Sequence, residues 1–214
     1  MKQIPVLLVI GFALSFCNLS NKLKPATNSG GPGKSTSTST STSSEPGGTV
    51  EHATPTAAQS QALVGGQTIK WDQQGISWTA PAKWTQTSNE SKMLVWRSPG
   101  SWDAASLIVN ISPMDESFPT DASIKAFYDG ARTRAKNGEV DELKWLEIDG
   151  LKGVQFREAN PEKPDGIRRL QWMAYRKYAG QVQLVNLILS SSGKGFPKHE
   201  DEMYGVLYST KLVH

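Results

Sequence analysis

One cysteine, Cys17, occurs in the 214 residues. A lone thiol excludes an internal disulfide framework, so the fold must rest on a packed core. Histidine is nearly as scarce, at three. His52 falls in a Ser/Thr/Gly-rich stretch and His214 ends the sequence, so only His199 is left for acid–base work among the tryptophan-rich residues. No GxSxG elbow and no phosphate loop occurs; "SSGKG" at 191–195 lacks the loop's spacing. "HEDE" at 199–202 begins like a zinc-protease helix, but Met203 stands where the second histidine belongs. Long basic runs are missing too. Of 23 Lys and Arg, four (Lys2, Lys22, Lys24, Lys34) precede Gln67, as do two of the 20 Asp and Glu (Glu45, Glu51). The remainder is close to neutral, and no basic run in it is longer than the pair Arg168-Arg169. Such a surface lacks the stripe that holds a nucleic-acid backbone. The chain is expected to be no enzyme, to hold no metal or cofactor and to bind no nucleic acid.

What is present begins with an address. Met1-Lys2 is a short positive start, and residues 4–16 are apolar apart from Ser15, too few for the ~20 that span a bilayer. Leu14, Ser15, Phe16 and Cys17 resemble a bacterial lipobox, with Phe16 departing from the small residue usual before the cysteine. Three readings follow. Cys17 can become an acylated N-terminus after loss of a signal peptide, residues 1–16. Cleavage can instead fall after a small residue such as Ala13, or the segment can stay as an uncleaved anchor. The first is favoured, because the cysteine stands where the apolar run ends and a polar stretch begins, and several acyl chains hold a membrane far better than one. Its implications are a lipid partner, reached through an acyl anchor, and a place in the bacterial cell envelope.

From Asn28 to Gln61 there is no aromatic residue, only a Ser, Thr, Gly, Pro, Ala and Gln mixture with few others. Such composition buries too little apolar area to offset the entropy of ordering. Residues 17–66 are therefore expected to be a tether, with a root-mean-square span of roughly 35 to 42 Å from residue 18 onward. All seven tryptophans lie between Trp71 and Trp172, which assigns residues 67–214 to one globular domain.

Within it, "TIKWDQQGISWTAP" reads as two strands about a turn, "KMLVWRSP" and "ASLIVNISPM" as two more, the last with Leu107, Val109 and Ile111 on one face. The period then changes. Ile124, Phe127, Tyr128, Ala131 and Ala135 mark one helix face, with Thr120 as N-cap and Asn137-Gly138 as C-cap signal. "ELKWLEI" and "KGVQFREA" flank an Asp149-Gly150 turn, and "IRRLQWMAYRK" and "QVQLVNLILSSS" flank Ala179-Gly180. "FPKHEDEMYGVLYS" closes as a helix, slightly weakened by Gly205.

These elements predict an α+β domain, an antiparallel sheet with helices on its faces. "GISWTAPAKW", "LEIDGLKGVQF", "AYRKYAGQVQLVNLIL" and the closing helix, in that order, resemble the PsbP/Mog-like fold, an α/β/α sandwich. The resemblance rests on turns and strand patterns. It implies binding or scaffolding rather than catalysis, with an envelope protein as partner or, alternatively, a small amphiphile held between sheet and helix.

Three residues stand out as candidate contacts. Trp102 lies in the Pro/Gly/Ser loop "SPGSWDAAS". The expectation is a lid folded back on the sheet; the alternative is a grip on a ligand or partner. Arg168 and Arg176 share one strand face and are expected to be solvated, or else to hold an acidic headgroup or peptide.

Overall fold

The computed structural model describes residues 49–213. In chain order the elements are β1 (Val50–His52), α1 (Ala57–Ala62), β2 (Gln67–Trp71), β3 (Ile76–Ala80), β4 (Thr85–Glu90), β5 (Met93–Arg97) and β6 (Ser106–Met114). After them come α2 (Thr120–Lys136), β7 (Val140–Ile148), β8 (Leu151–Glu158), β9 (Ile167–Tyr178), β10 (Gln181–Ser192), α3 (Phe196–Tyr208) and β11 (Lys211–Leu212). Eight strands form one sheet in the order β1-β7-β8-β9-β10-β6-β5-β4, and a small sheet runs β11-β3-β2. Every pairing is antiparallel except β1 with β7. The class is α+β.

Two primed turns set most of the register. Asp149 and Gly150 have φ of 51° and 82°, and Ala179 and Gly180 have 50° and 76°, matching the right-handed twist of the strands they join. From Ala179-Gly180, β9 and β10 pair without interruption as far as Ile167 opposite Ser192. Alternation then sends Leu170, Trp172, Val185, Leu187 and Leu189 to one face, where α3 contributes Phe196, Met203 and Leu207 to the same core. On the other face α2 covers β7 to β9 through Ala131, which meets Val140, Phe156 and Met173. Tyr128 of α2 stacks on Trp145 at 4.8 Å. Of the expected helix stripe, Phe127 is the member left largely exposed. Thr120 opens α2 but does not cap it; Pro119 holds that position.

Three expectations are corrected. The tether was expected to reach Gly66, yet its last part is folded. Val50, Glu51 and His52 pair in parallel with Trp145, Leu146 and Glu147, and α1 packs on α3. Backbone pairing and docking stabilise this segment, so its polar composition gave no sign of it. The remaining tether residues up to 48, the apolar leader and Cys17 lie outside the described residues. Second, β4 and β11 are strands without an apolar pattern to announce them, since each pairs as an edge. Third, the sheet is not wholly antiparallel. Among the described residues no helix is long and apolar enough to cross a membrane.

Candidate functional site at the loop end of the domain

The loop between β5 and β6 is closed at its base by Ser98. Its N–H donates to the Ala105 carbonyl at 2.9 Å, and its hydroxyl accepts from the Ala105 N–H at 2.8 Å. At its far side Asp103 is held twice. The Ser191 hydroxyl donates to its carbonyl at 2.9 Å, and Lys198 Nζ lies 2.9 Å from its carboxylate. That hydrogen bond from Lys198 holds the Asp103 carboxyl below its ordinary value. Gly195 lets the loop come this close, because a Cβ there would sit 2.5 Å from the Asp103 carbonyl oxygen.

Between these fastenings stands Trp102, 60% exposed, with Lys198 Nζ 5.9 Å from its ring centroid. The lid expectation is corrected: the other six tryptophans are buried, and this one is displayed.

Arg168 and Arg176 are corrected as well. Both are buried, 6% and 4% exposed, and neither offers a cation to a ligand. Arg168 donates to the Glu158 carbonyl at 2.8 Å, pairs with Asp141 and lies 4.4 Å over the Phe196 ring. Arg176 donates to the Gln74 and Val213 carbonyls and to the Gln183 side chain, over the Tyr178 ring; burial pulls its pKa down. They share a strand face, but it is the face turned to the core. Buried arginines survive there because carbonyl and carboxylate oxygens satisfy their donors.

Beside Trp102 the register of β9 and β10 brings two further turns. The Gly193 N–H donates to the Gly166 carbonyl at 2.8 Å and the Lys194 N–H to the Pro164 carbonyl at 3.1 Å. A hollow of about 320 Å³ opens there, lined by Trp102, Pro164, Asp165 and Lys194. Sequence reasoning passed over Pro164 and Asp165 and weighed Lys194 only as part of "SSGKG". The signal existed: counting back from the Ala179-Gly180 turn puts Ile167 beside Ser192, and so "NPEKPDG" beside "SSGKG".

On the other side of the loop a hollow of about 370 Å³ is lined by Val64, Pro81, Lys83, Pro99, His199 and Glu202, among others. His199 is held in place by neighbouring side chains. Its Nδ1 lies 2.7 Å from a Glu202 oxygen that also accepts from the Trp84 indole at 3.3 Å. Ser98, in the same hollow, donates its hydroxyl to the Pro99 carbonyl at 3.2 Å. Among the described residues no group of three or more acidic, His or Cys side chains is placed to hold a metal.

No family model and no curated protein matches the chain. Solved structures do. LpqN of Mycobacterium tuberculosis, described as involved in cell envelope biogenesis, is 12% identical over 70% of this chain and 91% of its own, with a TM-score of 0.52. CyanoP, the cyanobacterial PsbP of Synechocystis sp. PCC 6803, is 16% identical over 69% and 92%, at 0.48. Mog1p, the Ran-binding protein of Saccharomyces cerevisiae, is 10% identical over 69% and 95%, at 0.39. At these identities the likeness speaks of fold, and the LpqN match carries it.

Proposed function

We propose that the chain is a membrane-tethered, non-catalytic binding or scaffolding lipoprotein of the bacterial cell envelope, anchored through acyl chains on Cys17 and docking through its Trp102 end. The observation that carries the reading is an exposed tryptophan on a loop made rigid from both sides. A large aromatic held in water on a fixed support costs stability alone and repays it on contact, which is how binding hot spots are built. The envelope role described for LpqN, and the lipobox-like residues 14–17, support the location. The Ser98 hydroxyl, engaged with the Pro99 carbonyl and the Ala105 N–H, supports a non-catalytic role.

The test is Trp102→Ala. It should leave the thermal midpoint nearly unchanged, since no void forms, and reduce photo-cross-linking from the loop in intact envelopes about tenfold or more. A large drop in midpoint, or unchanged cross-linking, refutes docking at this end. A second reading, carriage of a small amphiphile, is favoured by the other hollow, where Val64, Pro81 and Pro99 give an apolar wall beside Lys83. Native mass spectrometry decides it, because a carrier retains lipid through purification.

A further inference from the structure

The hollow between the β5–β6 loop and the β8–β9 loop holds an uncommitted pair of opposite charges. Asp165 and Lys194 both line it and both are exposed. Among the described residues neither side chain has a hydrogen-bond or ion-pair partner, and they do not pair with each other. A few residues away, Lys198 and Asp103 show what closure looks like, at 2.9 Å. Here the acceptor and the donor are kept apart on backbone that is itself fixed, by the Gly193–Gly166 and Lys194–Pro164 hydrogen bonds. The Trp102 indole and the Pro164 ring line the same hollow.

We propose that this hollow binds one ring of a neutral glycan. This rests on the reading of the Trp102 end as the binding surface, and adds the class of ligand. An anion drawn by Lys194 meets Asp165, and a cation drawn by Asp165 meets Lys194, so neither kind of ion is favoured. A sugar hydroxyl both donates and accepts, and therefore satisfies the carboxylate and the ammonium together. The C–H face of a pyranose is apolar and flat enough to lie on an indole, where it removes aromatic surface from water. The space, about 320 Å³, stands at the lower end of small-ligand sites (~300–1,000 Å³) and suits a single ring of a longer chain. A lipid surface fits less well. Lys163, Lys194 and Lys198 at this end are balanced by Glu162, Asp165 and Asp103, which leaves no net attraction to anionic headgroups.

The experiment uses the full chain, solubilised in a non-ionic polyoxyethylene detergent without sugar, and follows the Trp102 indole N–H resonance, assigned by its loss in Trp102→Phe. The probes are maltohexaose, cellohexaose and chitohexaose. At least one should shift the resonance saturably. Asp165→Ala and Lys194→Ala should each weaken that binding about fivefold or more by the same resonance, and Trp102→Ala, which removes the reporter and is followed by titration calorimetry beside the parent, should weaken it tenfold or more, with thermal midpoints unchanged. No shift from any of the three up to ~10 mM, ten times a millimolar Kd, overturns the proposal. So does a shift that the substitutions leave intact, or a response to phosphatidylglycerol vesicles only. If the sugars fail while cross-linking from the loop persists and depends on Trp102, the glycan falls and the binding surface stands. If both fail, the surface falls with it.

Discussion

Tyr204 and Tyr208 of α3 show how much single side chains here depend on what surrounds them. The Tyr204 hydroxyl donates to Glu142, which also accepts from Gln155 and pairs with Lys144, and Tyr208 lies under that same lysine. Burial, and then Glu142, pushes the Tyr204 phenol well above its ordinary value of 10.0, and burial raises Tyr208 in the same direction. Burial also opposes the charge of Lys144, but Tyr208, Glu142 and Glu51 outweigh it and the ammonium is retained. A raised phenol contributes stability that is complete below the unfolded value near 10 and is lost as pH rises above it, because the unfolded chain releases a proton that the native state keeps. An alkaline titration followed by phenolate absorbance should show a late step coincident with unfolding. Tyr204→Phe should shrink that step, and full ionisation before unfolding would refute the account. None of this is legible in the sequence, where Asp141-Glu142 is only an adjacent pair of acids. The same holds for Arg168 and Arg176: alternation correctly put them on one face, but only the depth of β9 in the sheet decides that the face is a core.

At the scale of elements, legibility followed the turns. Asp149-Gly150 and Ala179-Gly180 announce their hairpins by residue type, and the 3.6-residue period announces α2. The polar edges β1, β4 and β11 had no such sign, since they are made by pairing with strands already in place. Gly205 marks the difference best. In sequence it only weakens a helix; in the structure it is where α1 crosses α3, and a Cβ there would lie 2.7 Å from the Gln59 carbonyl oxygen and 3.1 Å from the Leu63 side chain. Since the first contact is backbone, α1 must move. Gly205→Ala should gain ~1 kcal/mol of helix propensity and lose more through overpacking, ~1–3 kcal/mol. The variant is expected to unfold at lower urea and to expose the 53–66 segment to protease. A variant as stable as the parent would mean that α1 does not rest on α3. Thr56, whose hydroxyl accepts from the Gln59 N–H while the Gln59 side chain accepts from its own, holds α1 as a capping box, so Thr56→Ala should raise the same protease sensitivity.

The whole molecule joins a proposed membrane anchor to a domain that begins earlier than composition suggests. For the anchor, Cys17→Ser should abolish both incorporation of a palmitate analogue and membrane association while leaving the domain folded; equal label on both proteins would sink the lipoprotein reading. For the domain, the decisive comparison is between fragments starting at Thr49 and at Gln67. The shorter one loses the three-residue ladder of β1 on β7, the Glu51–Lys144 and His52–Glu147 pairs, and the contacts of Ala53 and Leu63 with the core. Removing Leu63 from apolar surroundings costs roughly 1.5–3 kcal/mol at full burial, less here because it is partly exposed. The Glu51–Lys144 ion pair adds ~0.2–1 kcal/mol at most and is weakened by salt. Against this, the longer fragment must order the eighteen residues 49–66 on folding, which offsets part of the gain. The expected difference is therefore modest, roughly 1–3 kcal/mol, and visible as a lower urea midpoint for the fragment from Gln67. Limited proteolysis of the full chain should accordingly stop before Val50 rather than near Leu63, since cleavage needs backbone that is not already paired. Equal midpoints and ready cutting between Ala53 and Gly66 would show that the early segment only rests on the domain and that the fold begins at Gln67.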